Sequence, residues 1–202
     1  MRQRASRKPA HERRQLIIES AQAEFAATGY ANTGTDDVAR AAGVTPAAIY
    51  RYFPSKRELY LAALRDAGPR LLAVIGATAM EAGDPLETIW RFGLAYYDRV
   101  GDRTPYASLW FQALADVSDE EVRETIATNF TATVDLVSAQ LEQGKRAGLV
   151  RDDLDTRVAG WQFMAIGLTF DLLHHLALDD ELDRGKVEAW GRLFIDSLRT
   201  PS

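Results

Sequence analysis

Along this chain a short polar residue repeatedly stands just ahead of an apolar run whose members recur every three or four positions. Thr35 precedes Asp36 and Asp37, and Thr45 precedes Pro46. Ser55-Lys56-Arg57-Glu58 has the spacing of a capping box, and Asp84-Pro85 is followed by Glu87. Thr104-Pro105, Ser118-Asp119-Glu120-Glu121, Asp155 and Asp183 repeat the signal. Each fits a helix start: a side-chain oxygen accepts a first-turn N–H that the helix leaves unpaired. A carboxylate there complements the dipole, and a proline at the first position gives up a donor with no partner to lose. No stretch sustains the alternation of a half-buried strand. The expectation is an all-α fold of about nine helices, three short ones followed by longer ones.

The stops agree. Gly29, Gly43, Gly144 and Gly148 fall where periodic runs end, and Pro54 closes the run that carries Ile49, Tyr50 and Phe53. Gly68-Pro69 falls inside a long run, and a proline there predicts a kink or a break. Apolar faces are legible at helical spacing: Ile17, Ala21 and Phe25; then Ile126, Phe130, Val134, Val137 and Leu141; and Val187, Trp190, Phe194 and Leu198.

The 202 residues are 47% hydrophobic and 26% charged, enough for one large domain or a small one beside a larger one. The absence of cysteine excludes a disulfide scaffold, thiol catalysis and Cys-based zinc sites. No apolar run has the length of a membrane span, and no apolar segment follows the basic N-terminus as in a secretory signal, so a cytoplasmic protein is expected. Charge is divided unevenly. Residues 1–66 hold 11 Lys/Arg against 7 Asp/Glu, and residues 67–202 hold 13 against 22. A basic head on an acidic body suits a polyanion partner, although a solvated basic face looks the same in sequence.

Within the head, VARAAGVTPAAIYRYFPSKREL (38–59) reads as helix, glycine turn, short helix, the plan of a helix-turn-helix. Val38, Ala39, Ala42, Val44, Ile49 and Phe53 can pack the two helices together. Thr45, Pro46, Ala47, Ala48 and Arg51 are then left outward, small enough at the helix start to approach base edges. Tyr50, Tyr52 and Lys56 suit phosphate contacts, and Arg2, Arg4, Arg7 and Lys8 could add more from an N-terminal arm. Helical hairpins with a glycine turn are also common in ordinary α-proteins, so this plan alone does not establish DNA binding.

Residues 12–65 resemble the DNA-binding domain of the tetracycline-repressor (TetR) family of transcriptional regulators. The match runs through AEFAATGY, the loop with Thr33 and Thr35, and the Ala42-Gly43-Val44-Thr45 run with Ile49-Tyr50, Tyr52-Phe53 and Lys56. AGLVRDDLDTRVAGWQFMAIGLTFDLL (147–173) resembles the lead-in to that family's dimerising helix. Ala47 stands where the family often has glycine, and Pro46 where it often has a basic residue. The resemblance implies a homodimeric repressor on a palindromic operator, with Thr33, Thr35, Thr45, Pro46, Ala47, Ala48, Tyr50, Arg51, Tyr52 and Lys56 at the DNA. It implies a basic arm (1–9), a helix-turn-helix domain (10–55) and a helical body for ligand binding and dimerisation (56–202).

That body would bind a small effector, largely apolar or aromatic. The candidate lining is Trp90, Tyr97, Trp110, Phe130, Thr133 and Phe163, with Asn129 or Asp98 to orient the ligand. A cationic ligand is conceivable if Asp98 or Asp171 is buried facing it. The expected dimer seam uses Phe163, Gly167, Phe170 and His174 on one long helix and Val187, Trp190, Phe194 and Leu198 on the next. The competing reading is an α-helical enzyme or small-molecule carrier with an incidental helix-turn-helix. Against it, the chain shows no Walker, G-x-S-x-G, H-E-x-x-H or G-x-G-x-x-G motif. Asp171, His174 and His175 have ligand-like spacing, but neighbouring histidines diverge by about 100° on a helix. Neither a metal nor a cofactor is expected.

Overall fold

The computed structural model describes residues 9–79, 83–101 and 105–200. Among them are nine α-helices: α1 (Ala10–Asn32), α2 (Thr35–Ala41), α3 (Pro46–Tyr50), α4 (Lys56–Ala79), α5 (Pro85–Gly101), α6 (Pro105–Ala113), α7 (Glu120–Arg146), α8 (Thr156–His175) and α9 (Arg184–Leu198). Short 3-10 turns at Leu114–Asp116 and Asp179–Leu182 lead into α7 and α9. The all-α expectation holds. The β-type pairing described is a single bridge between Val150 and Arg199.

Most of the predicted starts are real. Asp84 Oδ1 accepts from Leu86 N at 2.7 Å, and Asp119, Asp155 and Asp183 accept first-turn N–H groups of α7, α8 and α9. Ser55 Oγ accepts from Glu58 N at 3.1 Å. Thr45 precedes α3 with Pro46 in the first turn, although its hydroxyl makes no cap bond. Thr35 is displaced by one position. Gly34 is the capping residue of α2, and the Asp37 carboxylate reaches back to Gly34 N at 3.1 Å. Thr104 lies outside the described residues.

The first three helices close around Ile17, Ile18, Ala21, Phe25, Val38, Ala39, Ala42, Ile49 and Phe53, all buried. Each large side chain there contributes about 1.5–3 kcal/mol relative to remaining in water. Between α2 and α3 the chain reverses at Gly43, whose φ of 63° would strain a side chain with a Cβ. Gly43 N donates to Arg40 O at 3.2 Å and Val44 N to Ala39 O at 2.9 Å, the paired bonds of a Schellman ending. The helical path of α1 breaks at Gly29 as predicted, with one further turn reaching Asn32.

Of the kink or break expected at Gly68-Pro69, the break does not occur: α4 runs continuously from Lys56 to Ala79 with Pro69 inside it. Tertiary packing outweighs the missing donor. Gly68 lies against α6 and α7 so closely that an added Cβ would meet Trp110 and come 2.5 Å from Asn129 Oδ1. Gly68 is therefore a point of close approach.

One buried cluster joins the head to the body. Leu59, Tyr60, Leu61, Ala63, Leu64 and Ala67 of α4, Leu109 and Ala113 of α6, and Val122 and Ile126 of α7 belong to the same core as α1–α3. Polar groups reinforce it. Buried Gln22 donates to Ala63 O (3.0 Å) and Asp66 Oδ2 (2.9 Å), and Gln112 of α6 donates to Ala26 O of α1. A second core, with Leu86, Ile89, Val137, Leu141, Val150, Ile195 and Leu198, packs α5, α7 and α9 together. Gly144, read as part of the end of α7, is inside the helix, where a Cβ would lie 2.5 Å from Val150 Cγ2. Gly148 follows the helix end.

Candidate functional site

The start of α3 is outside the core. Thr45, Pro46, Ala47 and Arg51 are exposed, Ala48 is half-buried, and Ile49 points inward to anchor the helix. Tyr50 is 52% exposed, and its hydroxyl is 3.1 Å from that of Thr35, tying the first turn of α2 to the end of α3. Lys56, at the start of α4, donates to Ala31 O at 3.3 Å and sits 4.6 Å from the centre of the Tyr30 ring. Arg14 of α1 lies over Phe53 at 5.0 Å. These groups frame one surface with small side chains at its centre. Tyr52 is half-buried against the head core, leaving less of it outward than its tyrosine neighbour.

Thr33 does not share that surface. It is buried, and its hydroxyl is 2.8 Å from Gly29 O, 3.2 Å from Glu24 O and 2.7 Å from the hydroxyl of Thr28. The break at Gly29 folds the chain back, so this threonine satisfies α1 carbonyls. The predicted residues of the arm, Arg2, Arg4, Arg7 and Lys8, lie outside the described residues.

Behind the head, α4, α5, α6, α7 and α8 enclose an apolar cavity of about 60 Å³. Leu71, Leu72 and Ile75 of α4 form one wall. Phe92, Tyr96, Trp110, Phe111, Phe130, Thr133, Phe163, Met164 and Leu168 supply most of the rest. Four predicted lining residues, Trp110, Phe130, Thr133 and Phe163, are there. Trp90 is not: it packs on α9, where Gly191 leaves space for its ring. Tyr97 also points elsewhere, edge-on to Phe170 at 5.4 Å and donating to Leu182 O at 3.1 Å. Tyr96 and Tyr97 are adjacent on a helix and diverge by about 100°, so only one can face the cavity. Neither Asp98 nor Asn129 lines it. Asp98 pairs with Arg184 at 2.5 Å on the surface.

Asp171 does line it. The residue is 4% exposed, its Oδ2 accepts from Tyr96 Oη at 2.6 Å, and Oδ1 has no protein partner. Burial pushes its carboxyl up to about 7, against the lowering effect of the Tyr96 bond. The same burial, and the adjacent carboxylate, raise the Tyr96 phenol well above its usual range. Trp110 Nε1 is the other cavity-lining atom that is buried without a partner. Asp171 does not gather with the neighbouring histidines: His174 Nδ1 is 2.8 Å from Asp179, while His175 bonds the Asp171 carbonyl and stacks on Phe111 at 4.3 Å. No group of three ligand-type side chains comes together among the described residues.

A second cleft of about 330 Å³ opens between α4, α5 and α7, lined by Ala73, Gly76, Thr88, Ile89, Leu136 and Gln140 among others. It shares Leu72 and Phe92 with the first cavity.

The predicted dimer residues face inward. Phe163 contacts Phe92 and Phe194, Gly167 faces Tyr96, and Phe170 meets Trp190 edge-on at 6.0 Å. Val187 and Leu198 are buried, and Phe194 packs on the second core. His174 is spent on Asp179. The reason is that α8 is apolar on both sides, so periodicity cannot say which stripe is core. The opposite stripe, Val158, Trp161, Ala165, Leu172 and Leu176, is exposed, as is Leu193 of α9 at 70%.

A helix-turn-helix with an exposed reading end, packed on a helical body, is the architecture of a DNA-binding transcriptional regulator. Residues 17–63 match the model of the bacterial regulatory proteins of the tetR family. That match covers the DNA-binding head, and the fold of the chain resembles that of TetR-family transcriptional regulators. It is 28% identical over 204 residues to the HTH-type transcriptional regulator TtgR of Pseudomonas putida, covering 97% of this chain and 96% of that protein. It is 42% identical to the HTH-type transcriptional activator FasR of Mycolicibacterium smegmatis over 62 residues, only 28% of that protein's length. The fold is similar to that of the regulator FadR from Bacillus subtilis in complex with stearoyl-CoA, with a TM-score of 0.73, 18% identity and coverage of 92% of this chain and 97% of that one. No helix of the described residues is long and apolar enough to cross a membrane.

Proposed function

We propose that this regulator is a ligand-responsive repressor that binds a palindromic operator as a homodimer and leaves it when a small, largely apolar or aromatic effector enters the cavity. The basic arm (1–9) and the helix-turn-helix (10–55) form the reading head, and residues 56–202 sense the ligand and pair. Thr45, Pro46, Ala47 and Ala48 approach base edges in the major groove, with Arg51 placed to bond a guanine. Thr35, Tyr50, Tyr52 and Lys56 hold the phosphates. One head reads few base pairs, so two copies about one helical turn apart supply the specificity.

The carrying observation is that α4 belongs to both halves. Its first turns are buried in the head core, and its later turns, through Leu71, Leu72 and Ile75, wall the cavity. An effector can move the DNA equilibrium only by favouring one arrangement of such a shared element over another. At about 60 Å³ the cavity is well below the roughly 300–1,000 Å³ of an ordinary small-molecule site, so an effector must push its walls outward. Leu72 and Phe92, the partition shared with the larger cleft, are the side chains whose rotation makes room. The stearoyl-CoA held by the Bacillus subtilis FadR brings a long apolar acyl chain to a protein of this fold.

Fluorescence anisotropy on an operator selected from random duplexes tests the reading. Two chains per palindrome, affinity falling steeply with salt, and release by an effector that no longer acts on a Phe163→Ala variant are the expected results. A single chain per site, or binding indifferent to every cavity ligand, sinks it.

A further inference from the structure

We propose that the cavity selects a lipophilic monocation, an aromatic or aliphatic amine whose ammonium seats on Asp171. The inference rests on the cavity being the effector site and names the chemistry of the head group it takes.

Asp171 is the reason. Its carboxyl is buried in an otherwise apolar chamber, and only one of its two oxygens is engaged, by the Tyr96 hydroxyl. A buried acceptor left open is costly, and a ligand that supplies the missing donor removes that cost. None of the described residues lining the cavity is a lysine, arginine or histidine; His174, whose charge can act on this carboxylate, lies outside the lining and is held by Asp179 at 2.8 Å. The walls add to the selection. Phe92, Tyr96, Trp110, Phe111, Phe130 and Phe163 present ring faces, which attract a desolvated ammonium. An anionic head would meet Asp171 with no cationic side chain in the cavity lining to offset the repulsion. A neutral alcohol could bond Oδ1 without gaining the charge attraction. The preferred order is therefore amine, then alcohol, with carboxylate excluded.

Isothermal titration of the full-length protein at pH 8 with 2-phenylethylamine, 2-phenylethanol and phenylacetate tests this on one aromatic body with three head groups. The amine is expected to bind at least tenfold more tightly than the alcohol, and phenylacetate not at all. Asp171→Asn keeps the acceptor for Tyr96 but removes the charge, and should bring amine and alcohol to within about twofold. Equal binding of amine and alcohol to the unaltered protein, tighter binding of phenylacetate, no binding of any probe, or a preference that survives Asp171→Asn overturns the proposal. Thr133→Trp, which fills the cavity, separates the two levels. If it leaves all binding unchanged, the cavity is not the effector site and both readings fail. If it abolishes binding while the unaltered protein shows no charge preference, only the head-group inference fails.

Discussion

Arg57 grips both oxygens of Asp119, Nε on Oδ2 at 2.7 Å and Nη2 on Oδ1 at 2.8 Å. The first residue group of α4 is thereby fastened to the residue that caps α7. Glu121 joins through Arg57 Nη1 at 3.1 Å and Arg65 Nη2 at 2.9 Å, and nearby Tyr60 donates to Asp116 at 3.0 Å. The network crosses from the end of the helix-turn-helix head to the helical body, beside the core that joins them.

The guanidinium holds the Asp119 carboxyl down to about 2. A carboxyl depressed in the folded state contributes stability that is present above its unfolded value, about 3.9, and is lost as pH falls through about 2. Asp119→Asn keeps a good helix cap but removes the charge. Its melting temperature should fall below that of the unaltered chain at pH 7 and converge with it near pH 2. Thermal unfolding by circular dichroism across that range reads the difference.

Asp171 has the opposite sign. Its carboxyl is raised to about 7, so its contribution is fully present below an unfolded value of about 3.9 and is lost as pH rises through about 7. Asp171→Asn should therefore stabilise the unliganded protein at pH 8, by an amount that could reach ~4 kcal/mol for a three-unit shift, and by little at pH 4. Urea melts at the two pH values measure it. A variant that is steadier yet has lost its charge selection would show that the carboxylate is kept for binding.

Gly68→Ala sets two effects against each other. Helix propensity favours alanine over glycine by about 1 kcal/mol. Overpacking against Trp110 and Asn129 costs about 1–3 kcal/mol and should win. At Gly76, in the same helix, nothing lies within 4 Å of the added methyl, so Gly76→Ala should stabilise by about 0.5–1 kcal/mol. Urea midpoints of the two variants are expected to move in opposite directions.

If Lys56 holds a phosphate as proposed, Lys56→Ala should weaken operator binding about equally for all sequences and lower the salt slope by about one. Thr45→Val, at the exposed start of α3, should change the ranking of operator sequences while leaving the slope alone. Anisotropy at four salt concentrations separates the two behaviours.

Trp161→Glu places a charge in the exposed stripe of α8, far from the inward face. Sedimentation should show a shift from dimer to monomer with the helix content unchanged. Phe163→Glu, on the buried face, should instead unfold the chain.

Local chemistry wrote much of this fold in the sequence. Caps at Asp84, Asp119, Asp155 and Asp183 and the left-handed turn at Gly43 act within a few residues of themselves, so they could be read without knowing what lay across the molecule. The helix-turn-helix was legible for the same reason, being a compact run of contiguous signals. Tertiary structure decided which side of each helix met what. Tyr96 rather than Tyr97 faces the cavity, the inner stripe of α8 is core while the outer one is bare, and Thr33 turns inward behind the break at Gly29. Proline at 69 does not break α4, where α6 and α7 close on Gly68. Periodicity reports that a face is apolar. Only the packing of distant segments determines whether that face is buried by its own chain, lines a space for a ligand, or remains open.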